Sequence, residues 1–229
     1  MRRFVLWDID GTLVESSGLG RDAFFEAFER VTGVPPRNMV PFAGRTDLEI
    51  AHDLLEAAGI EAGDQLIAEF EEALAAAMAD RAHLMRERGR VLPGVQETLT
   101  HLSGQPAVLQ SLLTGNIEPN AAVKLGAFGL DRLVDMEVGA YGSDHRRRGE
   151  LVAVARRKAL KLRDADFEAS DIVLVGDTPL DVAAAIEGGA RAVGVATGPY
   201  DEDELRQSGA DAVLPDLADL DSVLAAVLG

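Results

Sequence analysis

The 229-residue chain has no cysteine. Disulfides, thiolate zinc sites and cysteine nucleophiles are therefore excluded, and a cytoplasmic setting fits. Basic residues are scarce: 22 Lys and Arg stand against 39 Asp and Glu, a formal net charge of −17. The densest basic clusters are short, as at Arg146-Arg147-Arg148, too little for a face that neutralises phosphates, so nucleic acid is not an expected partner. No apolar stretch is long enough to span a bilayer, and the run Phe4–Trp7 behind Arg2-Arg3 is too short for a signal peptide. No membrane partner is expected. An acidic chain that handles anionic metabolites must overcome its own field locally, with a cation or a metal.

What is present is a rhythm of short apolar runs and helical patterns. Phe4–Trp7, Ala107–Leu113, Ile172–Val175, Ala192–Val195 and Ala212–Leu214 read as buried strands. Helical patterns at Gly94–Leu102, Glu118–Leu125, Glu150–Leu160 and Leu180–Glu187 separate them. This alternation predicts an α/β fold, a Rossmann-like parallel sheet with helices on both faces. Between about Ser16 and Arg88 the rhythm breaks into helix after helix: Gly20–Thr32, Asp47–Ala58 and Asp64–Arg88. The expected organisation is a catalytic core of residues 1–15 and 89–229 interrupted by an all-helical cap of residues 16–88.

Ligands of parallel sheets bind beyond the carboxyl ends of the strands. The first strand ends in Asp8-Ile9-Asp10-Gly11-Thr12, the second in Thr114-Gly115-Asn116, the third in Gly176-Asp177-Thr178-Pro179-Leu180-Asp181. Each acid alone reads as a cap or turn former. Four carboxylates at one edge repel, and a shared divalent ion would resolve the repulsion; Mg²⁺ suits carboxylates, waters and phosphate oxygens. In an extended Asp8-Ile9-Asp10 both acids face one side, which allows one to be nucleophile and metal ligand and the other a general acid/base. Thr114 offers a hydroxyl and a backbone amide to a phosphoryl oxygen.

WDIDGTL, LLTGN and VGDTPLD, in this order, resemble the haloacid dehalogenase-like hydrolases, in particular their phosphoglycolate phosphatase-like branch with a helical cap. The resemblance covers essentially the whole chain. It implies an Mg²⁺-dependent phosphatase of a small phosphorylated metabolite, phosphoglycolate-like or a sugar phosphate, working as monomer or homodimer. Asp8 would be the nucleophile that forms an aspartyl-phosphate, and Asp10 the acid and base. Asp8, the Asp10 carbonyl and Asp177 would hold the metal with support from Asp181, and Thr114, Gly115 and Asn116 would bind the phosphoryl group. A phosphosugar mutase of the β-phosphoglucomutase type is the alternative. A dehalogenase lacks the second aspartate, and a Schiff-base phosphonatase would need a cap lysine, whereas no lysine precedes Lys124.

The family's Lys-Pro pair after the second motif is missing. Arg148, just ahead of the helix near Glu150, is the expected substitute, with Arg147 and Arg146 behind it; arginine forks suit phosphate. In Phe42-Ala43-Gly44-Arg45-Thr46-Asp47, Arg45 is expected to meet substrate, while Thr46 and Asp47 read as a helix start. His52, His83, His101 and His145 carry no expected catalytic role.

Overall fold

The computed structural model describes residues 2–36 and 40–229. Five strands form one parallel sheet: β1 (Arg3–Trp7), β4 (Val108–Leu112), β5 (Ile172–Gly176), β6 (Arg191–Val195) and β7 (Ala212–Leu214), in spatial order β4-β1-β5-β6-β7. The expected parallel sheet is thus present. The direction of growth reverses at β1, whose Trp7 pairs with Leu112 on one side and Val175 on the other. A crevice for ligand opens where an α/β sheet reverses its strand order, and the motif acids sit at that end.

Alternation along the strands builds two cores. Val5 and Trp7 of β1, with Val173, Val175 and Val193, pack under α5 (Val95–Ser103), α6 (Glu118–Gly126) and α10 (Leu220–Leu228). Phe4, Leu6, Leu174 and Ala192 face the other way, against α7 (Glu150–Arg163), α8 (Pro179–Glu187) and α9 (Glu202–Gln207). The period of two in side-chain direction is what lets one fully apolar strand feed both layers.

A third apolar cluster belongs to α1 (Leu19–Thr32), α2 (Asp47–Ala57), α3 (Asp64–Asp80) and α4 (Ala82–Arg88), built on Phe24, Phe28, Leu54, Phe70, Leu74 and Met78 and closed from below by Ile117. The chain enters and leaves this layer side by side. β2 (Val14–Glu15) pairs antiparallel with β3 (Arg90–Val91), Glu15 and Arg90 form an ion pair, and the Ser17 hydroxyl donates to the Arg88 carbonyl at 2.7 Å.

Two expectations need correction. The pattern over Asp64–Arg88 is two helices, broken at Arg81 (φ −93°, ψ 2°). There the guanidinium donates to the Ala77 carbonyl and to Glu26 of α1, fixing a corner that helix-forming composition alone would have run through. The helices α9 and α10 lie outside the expected set. Asp201 with Glu204 makes a capping box for α9, and Asp219 caps α10, so local start signals act where periodicity is too short to read. Among the described residues no helix is long and apolar enough to cross a membrane.

Candidate active site

β1 and β5 deliver the acids. The Asp8 N–H donates to the Val175 carbonyl at 2.9 Å, which locks Asp8 beside the end of β5. Asp8 is 5% exposed, and one carboxylate oxygen from each of Asp8, Asp177 and Asp181 lies within 4.8 Å of the others. Asp10 and Asp8 line the same cavity of about 310 Å³, while Ile9 between them is buried in the core, as the alternation predicts. Gly11 then takes a left-handed φ of +81°, and a Cβ there would collide with the Asp177 carboxylate, as would one on Gly198. Glycine is what allows the first-motif turn to close on the third-motif acid.

Arg148 is the arginine of the trio that reaches the acids. It is 8% exposed, forms an ion pair with Asp8 Oδ1 at 2.9 Å, and donates to Asp181 Oδ1 at 2.5 Å and to the Gly44 carbonyl at 3.2 Å. Arg146 instead lies near Asp53, and Arg147 is 72% exposed near Glu187. Asp181 serves twice: its Oδ2 accepts from the Thr178 amide and hydroxyl, completing the α8 capping box, and its Oδ1 is spent on Arg148. The capping role and the site role fall on one side chain.

Lys124 of α6 joins the site although it lies outside the three motifs. Its ammonium is buried and donates to Asp10 Oδ2 at 2.5 Å and to Asn116 Oδ1 at 2.7 Å. Asn116 donates in turn to Asp10 Oδ2 and to the Thr114 hydroxyl oxygen, both at 2.8 Å. The expected phosphate-binding set therefore changes character. Asn116 is fully occupied in orienting Asp10, and the Thr114 amide is spent on the Ala140 carbonyl at 3.1 Å rather than offered to a ligand. Thr114 keeps its hydroxyl proton for the cavity, because Asn116 supplies the proton that its oxygen accepts. The signal that could have revealed Lys124 is its spacing: Asn120 and Lys124 share one face of the helix that follows the Thr114-Gly115-Asn116 motif.

The charges are uneven. Burial pushes the Asp8 carboxyl up to about 6, against the pull of Arg148 and with the push of Asp181 and Asp10. Asp177 is raised well above the usual carboxylate range by burial, Asp181 and Asp8. Burial also pushes Asp10 upward, but the Lys124 ammonium and the Asn116 and Ser16 hydrogen bonds outweigh it and hold Asp10 low. Burial lifts Asp47 to about 7, against the Ile117 N–H and Lys124.

Residues 42–47 are docked over this floor. Asp47 N–H donates to the Gly115 carbonyl at 2.7 Å, the Thr46 hydroxyl to the Arg146 carbonyl at 2.6 Å, and Ile117 N–H to Asp47 Oδ2 at 2.9 Å. Thr46 also caps α2 through Glu49 N–H, so the expected helix start is present. A Cβ on Gly115 would overlap the Arg45 carbonyl; this glycine is needed for the loop to approach. The Arg45 guanidinium, at the cavity wall, pairs with Glu49 at 3.0 Å and Asp53 at 2.5 Å, both on α2.

The donor set fits a hard divalent ion. Three buried carboxylates converge with one arginine to offset them, the Asp177 Oδ2 accepts no hydrogen bond among the described residues, and both Asp8 and Asp177 are pushed toward protonation, which a cation would reverse.

A parallel sheet with a carboxylate cluster at its switch point and an arginine inside it defines a hydrolase-type anion site. The chain belongs to the haloacid dehalogenase-like hydrolases, whose family model matches residues 5–185. It is 30% identical over 219 residues to a protein of Dickeya dadantii named "Probable phosphatase IndB", covering 90% of this chain and 86% of that one. Among solved structures it is similar to a hydrolase from Pseudomonas syringae (TM-score 0.70, 24% identity, 98% of each chain). It is also similar to a candidate β-phosphoglucomutase from Bacteroides vulgatus (TM-score 0.69, 17% identity, 100% of this chain and 91% of that one). At these identities the two structures support the fold alone.

Proposed function

We propose that this chain is an Mg²⁺-dependent phosphatase of a small phosphorylated metabolite, working through an aspartyl-phosphate on Asp8. The carrying observation is the meeting of Asp8, Asp10, Asp177, Thr114 and Arg148 on one cavity floor. An Asp8 oxygen attacks phosphorus as the bond from phosphorus to the ester oxygen breaks, and Asp10 gives the departing oxygen a proton. A water then attacks the aspartyl-phosphate, Asp10 takes its proton, and phosphate and the Asp8 carboxylate are regenerated. Arg148 holds Asp8 in line, and the Thr114 hydroxyl and the Gly115 N–H, which has no partner among the described residues, donate to phosphoryl oxygens. Lys124 and Asn116 hold Asp10 on the leaving-group side; the negative charge of an arriving phosphate offsets Lys124 and raises Asp10 enough to carry a proton. Asp8, Asp177 and the Asp10 carbonyl would hold the Mg²⁺, with Asp181 steadying Arg148 behind them; the ion supplies charge neutralisation to the transferring group.

Residues 16–88 form the cap in this reading, with the core in residues 1–15 and 89–229. The β2–β3 pair, where the two connections run together, is the hinge, and the docked 42–47 loop is the part that excludes water. The likeness to a named phosphatase favours hydrolysis over mutase chemistry. The test is phosphate release from a panel of esters, with and without Mg²⁺, for the native chain and Asp8→Asn. Release that needs both supports the reading; release that survives Asp8→Asn, or conversion of β-glucose 1-phosphate to its 6-phosphate with no release, overturns it.

A further inference from the structure

Asn120 and Lys124 lie one turn apart on α6, Asn116 lies in the loop just before it, and all three line the cavity. The outer two are spent on Asp10 and on each other. Asn120 is not. It is 3% exposed, its Oδ1 is buried without a partner, and its amide nitrogen donates to nothing among the described residues. A buried amide oxygen left unpaired is unfavourable, and such groups are rare in native proteins unless a ligand or water completes them.

The surroundings of Asn120 say what kind of ligand. Lys124 uses two of its three N–H donors, and Asp47 Oδ1 accepts no hydrogen bond among the described residues, since Ile117 is bound to Oδ2. The wall thus offers both a donor and acceptors, while Phe24, Phe42 and Ile50 add apolar lining. The wall is poor in spare positive charge. Arg148, Lys124 and Arg45 are all in ion pairs with carboxylates. Among the described residues Arg21 is the lining cation outside an ion pair, and it is exposed at the rim. Asp10 and Asp47 both oppose a second anion.

We infer that Asn120, with Asp47 and Lys124, reads hydroxyl groups on the alcohol half of the substrate. The preferred ester is then an uncharged polyol or sugar phosphate, and a carboxylate-bearing ester such as phosphoglycolate is disfavoured. The inference rests on the phosphatase reading above. Its test compares kcat/KM for sugar and polyol phosphates, 2-phosphoglycolate and para-nitrophenyl phosphate, whose leaving group has no further hydroxyl, for the native chain, Asn120→Leu and Asn120→Ser. The native chain should favour the best hydroxylated ester over phosphoglycolate by at least tenfold. Asn120→Leu should lower kcat/KM for that ester by about 10–100-fold more than for para-nitrophenyl phosphate, and Asn120→Ser, which keeps a hydrogen-bonding group, should fall between. A native preference for phosphoglycolate, or an Asn120→Leu loss equal for every ester, overturns the inference and leaves the phosphatase reading standing. Failure of the native chain on para-nitrophenyl phosphate and every other ester removes the phosphatase reading and this inference with it.

Discussion

Asp8→Asn should abolish turnover and, without metal, make the protein more stable. Asp8 is 5% exposed, and burial outweighs Arg148 and lifts it from an ordinary 3.8 to about 6. At about 1.4 kcal/mol per pH unit, the charged form carries a penalty of about 3 kcal/mol in the folded state. The sign follows from linkage. Below about pH 3.8 both states hold the proton and no penalty exists; it grows between 3.8 and 6, and is complete above 6. Asparagine keeps the shape and an acceptor for Arg148, which retains Asp181 as its counter-charge. In EDTA at pH 7.5 the variant should therefore melt about 6–12 °C above the native chain, at roughly 2–4 °C per kcal/mol for a chain of this length. At pH 5 the gap should shrink to about half. Mg²⁺ should narrow it again, because the native site gains binding energy that a site with one carboxylate fewer gains less. Thermal melts across pH, with EDTA and with Mg²⁺, decide it. A variant no more stable than native at pH 7.5 in EDTA, or a gap indifferent to both pH and Mg²⁺, would refute the reasoning.

Lys124→Met releases Asp10 and removes the charge that holds it low, so kcat should fall about 10²–10³-fold and the acidic limb of the pH–rate profile should move up in pH; steady-state kinetics across pH read both. Arg148→Met strands Asp8 and Asp181 together, and breaking such a buried pair should cost about 3–5 kcal/mol, measured as a drop in urea midpoint, with Arg148→Lys recovering part of it. Gly115→Ala pushes a methyl into the Arg45 carbonyl, so the 42–47 loop should fail to dock and KM should rise about tenfold or more. Thr178→Ala removes the hydroxyl of the α8 capping box and should lower stability by about 1 kcal/mol, with a further loss of activity through Asp181.

The strands and three of the motif acids were legible because both signals are local. Phe4–Trp7 and Ile172–Val175 are short apolar runs, and a run is enough to mark a strand buried on both faces. Asp8, Asp10 and Asp177 are each named by their place after such a run. Arg148 could be singled out only because the site needs a cation and the trio supplies three; its burial against Asp8, with Arg147 left exposed, is a fact of how α7 docks. Lys124 was harder. A lysine among Ala121, Ala122, Val123 and Leu125 looks like the solvated edge of an amphipathic helix, and only the partner on another element, Asp10, 114 residues earlier, makes it part of the site. The break at Arg81 has the same origin, since the contact to Glu26 that fixes the corner lies 55 residues away.

The placements of Asn116 and Asp181 show how a motif residue can serve by orienting another side chain. Each was expected at the phosphate or metal because it lies in the motif. Asn116 instead spends both ends of its amide on Asp10, Thr114 and Lys124, and Asp181 spends both oxygens on Arg148 and Thr178. The physical requirement behind this is orientation. A nucleophile and an acid separated by one residue on a strand end would each have several rotamers in reach, and a phosphoryl transfer needs one. Arg148 with Asp181 fixes Asp8, and Asn116 with Lys124 fixes Asp10. These two clamps share no member, so the Asp8→Asn and Lys124→Met effects on stability should add to within about 0.5 kcal/mol unless Asp8 and Asp10 interact strongly through space. A double-mutant cycle on the metal-free chain measures that coupling, and a value well above it would mean that the two acids titrate as one unit rather than as separately held groups.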